Sequence, residues 1–348
     1  MITDWRCNSI GSGQRNFVTG GVHRISGRSK AGQGDCRPWS MILKIVKADP
    51  KRDDPSHYNY WQREILAYDS GYLDHLPADI AVPKCLAIDY QSDGSIWIWL
   101  EDIPYDERKW EWEDYAYAAE KLGQFQAAYL LGEPLPEFQW MNRKWMQSWI
   151  KECYRYRYVP SIETSKPLLP EKGAVPVHLF TQLEGWVTEW LAALDRLPRT
   201  LAHQDYYEQN ILFRLDNQQE RKLVLIDWQF VSISGIGEDL GRFFGLSVSR
   251  GSVPLERYQE YRELFISSYI RGMRRAGWLG DESLPRFGFL AAFALRSIWE
   301  VPKLQEKLEQ DRSSPEIQKL RTLTEKQMEA AIEAERLRKL VMMGNGEY

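Results

Sequence analysis

Cysteine is scarce in this chain of 348 residues: Cys7, Cys36, Cys85 and Cys153 stand far apart, with no CxxC pair among them. That scarcity excludes a disulfide framework and a zinc knuckle, and it fits a reducing compartment. Histidine is sparse too, with five in all; a hydrolytic zinc site on His203 and Asp205 would need a second histidine nearby, and none is there. No stretch approaches the ~18 apolar residues of a membrane helix. The N-terminus, MITDWRCNSIGSG, carries polar and acidic residues where a signal peptide needs an unbroken apolar core. The expectation is a cytoplasmic protein with no membrane partner. Strong charge of one sign is also missing, since 45 basic and 49 acidic residues leave a net charge of −4. Nothing in that balance attracts nucleic acid. Internal repeats and low-complexity tracts are absent, and the sequence does not set an oligomeric state.

What is abundant is large side chains, with 43% hydrophobic residues, 13% aromatic and 15 tryptophans. A chain of this length holds two core-bearing lobes more readily than one. Up to about residue 100, short apolar runs such as PWSMILKIVK and SIWIWLED alternate with glycine-rich breaks and read as strands. Among them HYNYWQREILAYDSGYLDHLP has a spacing nearer the helical period. Beyond LEDIP the pattern changes to long amphipathic segments, about 113–131, 178–196, 254–276 and 284–309. A last helix opens at SSPEIQ, where serine before proline is a start signal. The exception is NILFRL and KLVLIDW around the polar turn DNQQER, which read as a β-hairpin. The reading is an α+β chain: a lobe over 1–100 with an antiparallel sheet and one helix, a hinge at 101–104, and a larger, mainly helical lobe over 105–348.

Chemistry concentrates in HQDYYEQN, residues 203–210. Moving a phosphoryl group from a nucleotide to a hydroxyl needs an acceptor for the hydroxyl proton, oxygen ligands for magnesium and a cation on the phosphates. Asp205 suits the first role, and Asn210 can offer an amide oxygen to a metal. Asp227, an acid closing the apolar run LVLI, needs a metal or another strong partner. Upstream, Lys44 stands in MILKIV among apolar neighbours, where an ammonium must find a carboxylate or phosphate. Glu64 in WQREILAY is the carboxylate expected to hold it, while Arg63 beside it reads as a sign of exposed charge on the same segment. His203 reads as a brace of its loop through the ring nitrogens. Gly11 and Gly13 in GSGQRN keep the first two positions of a phosphate-covering GxGxxG, with Asn16 at the third; TGG at 19–21 is an equal alternative. Backbone groups of Glu101 to Ile103 would read a nucleotide base, although a plain linker fits as well.

In this order, Lys44, Glu64, HQDYYEQN and IDW resemble the aminoglycoside phosphotransferase and choline kinase-like family, small-molecule kinases with the protein-kinase fold. The resemblance implies Asp205 as catalytic base, Asn210 and Asp227 as magnesium ligands, and Lys44 with Glu64 as phosphate clamp. It further implies ATP, or alternatively GTP, as donor, and a small hydroxylated acceptor of aminoglycoside, amino-alcohol or sugar type. Trp228 after Asp227 and Gln204 before Asp205 depart from the protein-kinase motifs, and the stretch from Asp227 to Asp239 is too short for a peptide-docking segment. Glu208, Glu238 and Asp239 could form an acidic pocket for an amine or serve structure; Asp239 could cap the helix opening EDLGRFF. Trp110, Trp112, Trp140, Trp145 and Trp149 read as packing rather than as a pocket lining. A catalytically idle kinase-like scaffold is the alternative function.

Overall fold

In the computed structural model, residues 2–11, 18–30, 36–77, 80–104, 108–158, 177–215, 220–310 and 314–344 are described. In chain order they form β1 (Ile2–Gly11), β2 (Thr19–Lys30), β3 (Cys36–Val46), α1 (Arg63–Asp69), β4 (Ile80–Ala81), β5 (Cys85–Tyr90) and β6 (Ile96–Glu101). Next come α2 (Trp112–Leu130), α3 (Trp145–Tyr156), α4 (Val177–Arg196), β7 (Arg199–Ala202), β8 (Ile211–Leu215), β9 (Arg221–Leu225) and β10 (Ser232–Gly235). The chain ends in α5 (Glu238–Arg250), α6 (Tyr258–Arg275), α7 (Ser283–Leu295), α8 (Ser297–Gln310) and α9 (Pro315–Gly344). Contacts group Met1–Arg108, Phe138–Met141 and Gln209–Val231 in one unit, and the remainder in a second. The hairpin of β8 and β9 therefore counts with the unit that carries the larger sheet.

That sheet has five antiparallel strands in the order β1-β2-β3-β6-β5. Its central strands obey the two-residue period: Ile96, Ile98 and Leu100 of β6 are buried, and Trp97, Trp99 and Glu101 between them are partly open. Lys44 on β3 lies opposite Val22 on one side and Ile98 on the other, so it shares their face. The helix after β3 is short, seven residues from Arg63. Arg63 is not an exposed charge, as its neighbourhood in the sequence suggested, but 0% exposed. Its guanidinium donates to the carbonyls of Pro55 at 2.7 Å, Tyr58 at 2.8 Å and His57 at 2.9 Å. A turn-rich stretch leaves carbonyls that must be paired when buried, and the five-donor fork of arginine pairs three at once. Burial pushes the Arg63 pKa down to about 9.

β4, β9 and β8 form a small separate sheet, with β4 parallel to β9 and the β8–β9 hairpin antiparallel. The tip of that hairpin, 216–219, lies outside the described residues.

The second unit is helical apart from the two-stranded ladder of β7 and β10, which the sequence did not announce. Tyr115, Phe243, Phe244 and Phe265 are almost fully buried at its centre. The expected segment 284–309 is two helices, interrupted at Arg296, with Pro302 inside the second. α9 opens as read, with the Ser314 hydroxyl accepting from the Ile317 amide at 3.4 Å. Among the described residues no helix is long and apolar enough to cross a membrane.

α2 and α6 meet backbone to backbone. A Cβ on Gly272 would stand 2.0 Å from the carbonyl oxygen of Glu120, and one on Gly123 would stand 2.1 Å from that of Tyr269. Neither carbonyl is free to move without shifting a helix. Gly272→Ala is therefore expected to lower the unfolding free energy by about 1–3 kcal/mol, measured by urea denaturation; an unchanged midpoint contradicts the close approach.

Candidate active site

Three elements of the first unit converge on Lys44. β3 presents its ammonium, α1 brings Glu64, and the chain leaving β9 brings Asp227. The Lys44 Nζ lies 2.5 Å from Glu64 Oε2 and 2.7 Å from Asp227 Oδ1. Lys44 and Glu64 are 6% and 3% exposed, so the pair is dry. Burial alone would lower the lysine pKa; Asp227 first and Glu64 next outweigh it, and the ammonium is held well above its ordinary range. Burial pushes Glu64 up, against the pull of Lys44. With both carboxylates ionised, one cation against two anions leaves an excess negative charge.

Asn210 immediately precedes β8 and Asp227 lies two residues beyond β9. Ile211 pairs with Leu225, and the Ile226 amide donates to the Asn210 carbonyl at 3.0 Å, so both residues lie at the same end of the hairpin. Asp227 adopts φ 65°, a left-handed conformation that L-residues other than glycine rarely take. Among the described residues the only other non-glycine with positive φ is Gln204, at 62°. Both strained backbones fall inside the motifs singled out from sequence, the setting in which such strain is normally maintained. A carboxylate and an amide on adjoining hairpin ends form a donor set suited to a hard divalent cation, which takes few protein oxygens and keeps water for the rest. The excess negative charge at Lys44 also favours such a cation.

In the second unit, a buried scaffold holds the loop after β7. The Asp239 carboxylate accepts from the His203 amide at 2.7 Å and the Gln204 amide at 2.9 Å. Arg242 Nε donates to the Gln204 carbonyl at 2.5 Å, and Gln204 Nε2 donates to Ser234 Oγ at 2.6 Å. His203, 0% exposed, accepts the Asp205 amide on Nδ1 at 3.3 Å. Asp205 itself is half-buried. Asp239 thus clamps the loop rather than capping α5. Burial pushes its pKa up to about 6, despite the two amides it accepts. The Arg242 guanidinium stacks over Trp145 at 4.2 Å and Trp149 at 5.4 Å, and its Nη1 is buried without a hydrogen-bond partner. Sequence reasoning passed over Arg242; its spacing of three from Asp239, on one helical face, was the available signal.

The acids near the motifs are internally engaged. Glu238 is 2% exposed and accepts the Gly235 amide at 2.6 Å; burial, opposed by Arg199, pushes it up to about 7. Glu208 is only partly engaged: Ser247 and Tyr115 hold it, but its Oε1 is buried without a hydrogen-bond partner, and burial raises its pKa. Gly11 ends β1 opposite Val22, while Gly13 and Asn16 lie outside the described residues; Gly20 and Gly21 lie at the start of β2. Glu101 is a strand residue: its amide donates to the Lys84 carbonyl at 2.9 Å and its carboxylate pairs with Arg214 at 3.0 Å. Ile103, just beyond, is 3% exposed.

The ecdysteroid kinase-like family model matches residues 15–277. The chain belongs to that family. Its members are small-molecule kinases, phosphotransferases that act on hydroxyl acceptors. No curated protein sequence matches the chain. Solved structures resemble it in fold, which is kinase-like and mixed α+β. The amicoumacin kinase hAmiN, in complex with AMP-PNP, Ca2+ and Ami, is 14% identical with a TM-score of 0.57, over 96% of this chain and 86% of that one. A microcompartment-associated aminopropanol kinase is 13% identical with a TM-score of 0.52, over 99% and 94%. A choline/ethanolamine kinase family protein from Mesorhizobium loti is 14% identical with a TM-score of 0.51, over 97% and 92%. At these identities the likeness establishes the fold, as in the aminoglycoside phosphotransferase and choline kinase-like proteins that the motifs resemble.

Glu238 binds its proton more tightly folded than unfolded, so its contribution to stability is present below its unfolded pKa and is lost as pH rises through about 7. Glu238→Gln keeps an acceptor for the Gly235 amide and does not titrate. The melting temperature of the variant relative to the parent is expected to rise between pH 5 and pH 8; a pH-independent difference contradicts a neutralised Glu238.

Proposed function

We propose that the chain transfers the γ-phosphoryl group of ATP to a hydroxyl of a neutral, ring-bearing polyol, with GTP as an alternative donor. The observation that carries this reading is the buried Lys44 ammonium held between Glu64 and Asp227 at 2.5 and 2.7 Å. An idle scaffold has no use for an ion triad with unspent negative charge and a strained aspartate. In the proposed reaction Lys44 holds the donor phosphates, and Asn210 and Asp227 hold magnesium. Magnesium held there would supply positive charge against the negative charge that builds up on the phosphates during transfer. Asp205 accepts the hydroxyl proton as the acceptor oxygen bonds to phosphorus and the bond to the leaving ADP oxygen breaks. The clamp of Asp239 and Arg242 on residues 203–204 fixes the backbone from which Asp205 projects, and orientation of this kind is most of what such transfer asks of a protein.

Two considerations favour a neutral polyol over an aminoglycoside or choline-like amine. Glu238 and Asp239 are buried and spent on internal hydrogen bonds, so they offer no ready anion for an ammonium group. Arg242, a cation itself, lies close enough to Asp205 to feel its charge. The family's name points to an acceptor of the same kind, an ecdysteroid.

With ATP and magnesium, ADP release above the no-acceptor rate is expected with an ecdysteroid and not with kanamycin or choline; the reverse order contradicts the acceptor assignment. Asp205→Ala is expected to cut kcat by roughly a thousand-fold while leaving nucleotide affinity nearly unchanged, whereas Asp227→Ala weakens binding of the magnesium nucleotide itself. Equal loss of nucleotide affinity in both variants contradicts the roles.

A further inference from the structure

The strand register defines a surface beside Lys44 that the phosphate-holding residues do not use. Directly paired residues of antiparallel strands share a face, and so do residues two apart along a strand. Val22, Lys44 and Ile98 form one row across β2, β3 and β6, and Arg24, Ile42 and Leu100 form the next. The second row is two residues, about 7 Å, along the sheet from Lys44. It leads toward the end of β6, where the chain leaves through Asp102. A nucleotide with its phosphates at Lys44 can run its nucleoside along this face.

Ile42, partly open over the buried Leu100, offers the apolar surface that a flat base prefers. Arg24 breaks that pattern. Its Nε lies 2.9 Å from Asp102 Oδ2, and the two side chains are 33% and 11% exposed. The carboxylate is thus mostly covered, while a third of the arginine remains open. A lone aliphatic neighbour would serve an apolar slot better, and a charge needed only for solubility would not be tied to a covered carboxylate. The Arg24 Nε is covered and makes no hydrogen bond, so charge alone draws that edge to Asp102; a planar guanidinium paired at one edge and partly open suits stacking on an aromatic ring.

We infer that Arg24, held in place by Asp102, is the base-stacking residue for the nucleoside triphosphate, resting on the reading of Lys44 as the phosphate-holding residue. A stacking residue contacts the plane of a base and not its hydrogen-bonding edge. Adenine and guanine nucleotides therefore gain equally from it, and the choice of donor lies elsewhere.

The test is calorimetric titration of ADP, GDP and inorganic tripolyphosphate, each with magnesium, into the full chain and into Arg24→Ala, Arg24→Lys and Asp102→Asn. Arg24→Ala is expected to weaken ADP and GDP alike by roughly five- to ten-fold and to leave tripolyphosphate within about two-fold. Arg24→Lys keeps the charge without the plane and should stay close to the alanine variant. Asp102→Asn frees the guanidinium and should fall between parent and Arg24→Ala; it also serves as the test should Arg24→Ala fail to fold. Unchanged ADP affinity overturns the inference, as does an equal loss for tripolyphosphate, which would mark Arg24 as a phosphate contact. Loss for one base alone overturns it too, because that is edge reading. A parent protein that binds tripolyphosphate but neither nucleotide refutes the stacking site, and one that binds none of the three refutes the nucleotide reading beneath it.

Discussion

A lysine ammonium taken out of water must be matched by negative charge at contact distance, and Lys44 is matched twice. Leaving a buried charge half paired costs about 3–5 kcal/mol, so the three residues stabilise one another or fail together. The requirement fixes more than a salt bridge. It ties the middle of β3 to the first turn of α1 and to the residue after β9, three segments remote in sequence. The backbone around them is special too. Asp227 holds a left-handed φ while its carboxylate meets the Lys44 ammonium at 2.7 Å. Arg63, at the start of α1, spends its guanidinium on three carbonyls of the preceding turn and so fixes where Glu64 begins.

The second unit handles a different problem, that of holding a loop still without making it part of a helix or strand. Its solution is a carboxylate, Asp239, that accepts two consecutive amides, backed by an arginine on the next carbonyl. Those contacts draw on buried charge, as the upward shift of Asp239 shows. They fall immediately before Asp205, so Asp205 projects from fixed backbone while its own side chain stays half open. Strain at Gln204 is maintained by the same contacts. In the second unit, Glu238 and Asp239, which look in sequence like candidates for substrate, turn out to support the backbone.

Much of this was legible beforehand. Short apolar runs such as MILKIV and SIWIWL between glycine-rich breaks announced the sheet, and the isolated charges of Lys44 and Asp227 in apolar runs announced that something had to meet them. Neither required knowledge of the fold, because a charge flanked by aliphatics has few physical explanations. What stayed hidden has a common cause. Arg63, Asp239 and Arg242 act on backbone carbonyls and amides, and main-chain groups look the same at every position of a sequence. The ladder of β7 and β10 was missed because four residues such as RTLA and SISG are too short to show a period. The break at Arg296 was missed because the hydrophobic pattern runs through it unchanged.

The central claim is that Lys44 is the charged group on which a nucleotide's phosphates settle, and one titration tests it directly. Magnesium AMP-PNP is added to the parent protein and to Lys44→Met, with folding of both checked by circular dichroism. The account predicts saturable binding to the parent and at least about ten-fold weaker binding to the folded variant. Equal affinity in the two proteins would contradict it.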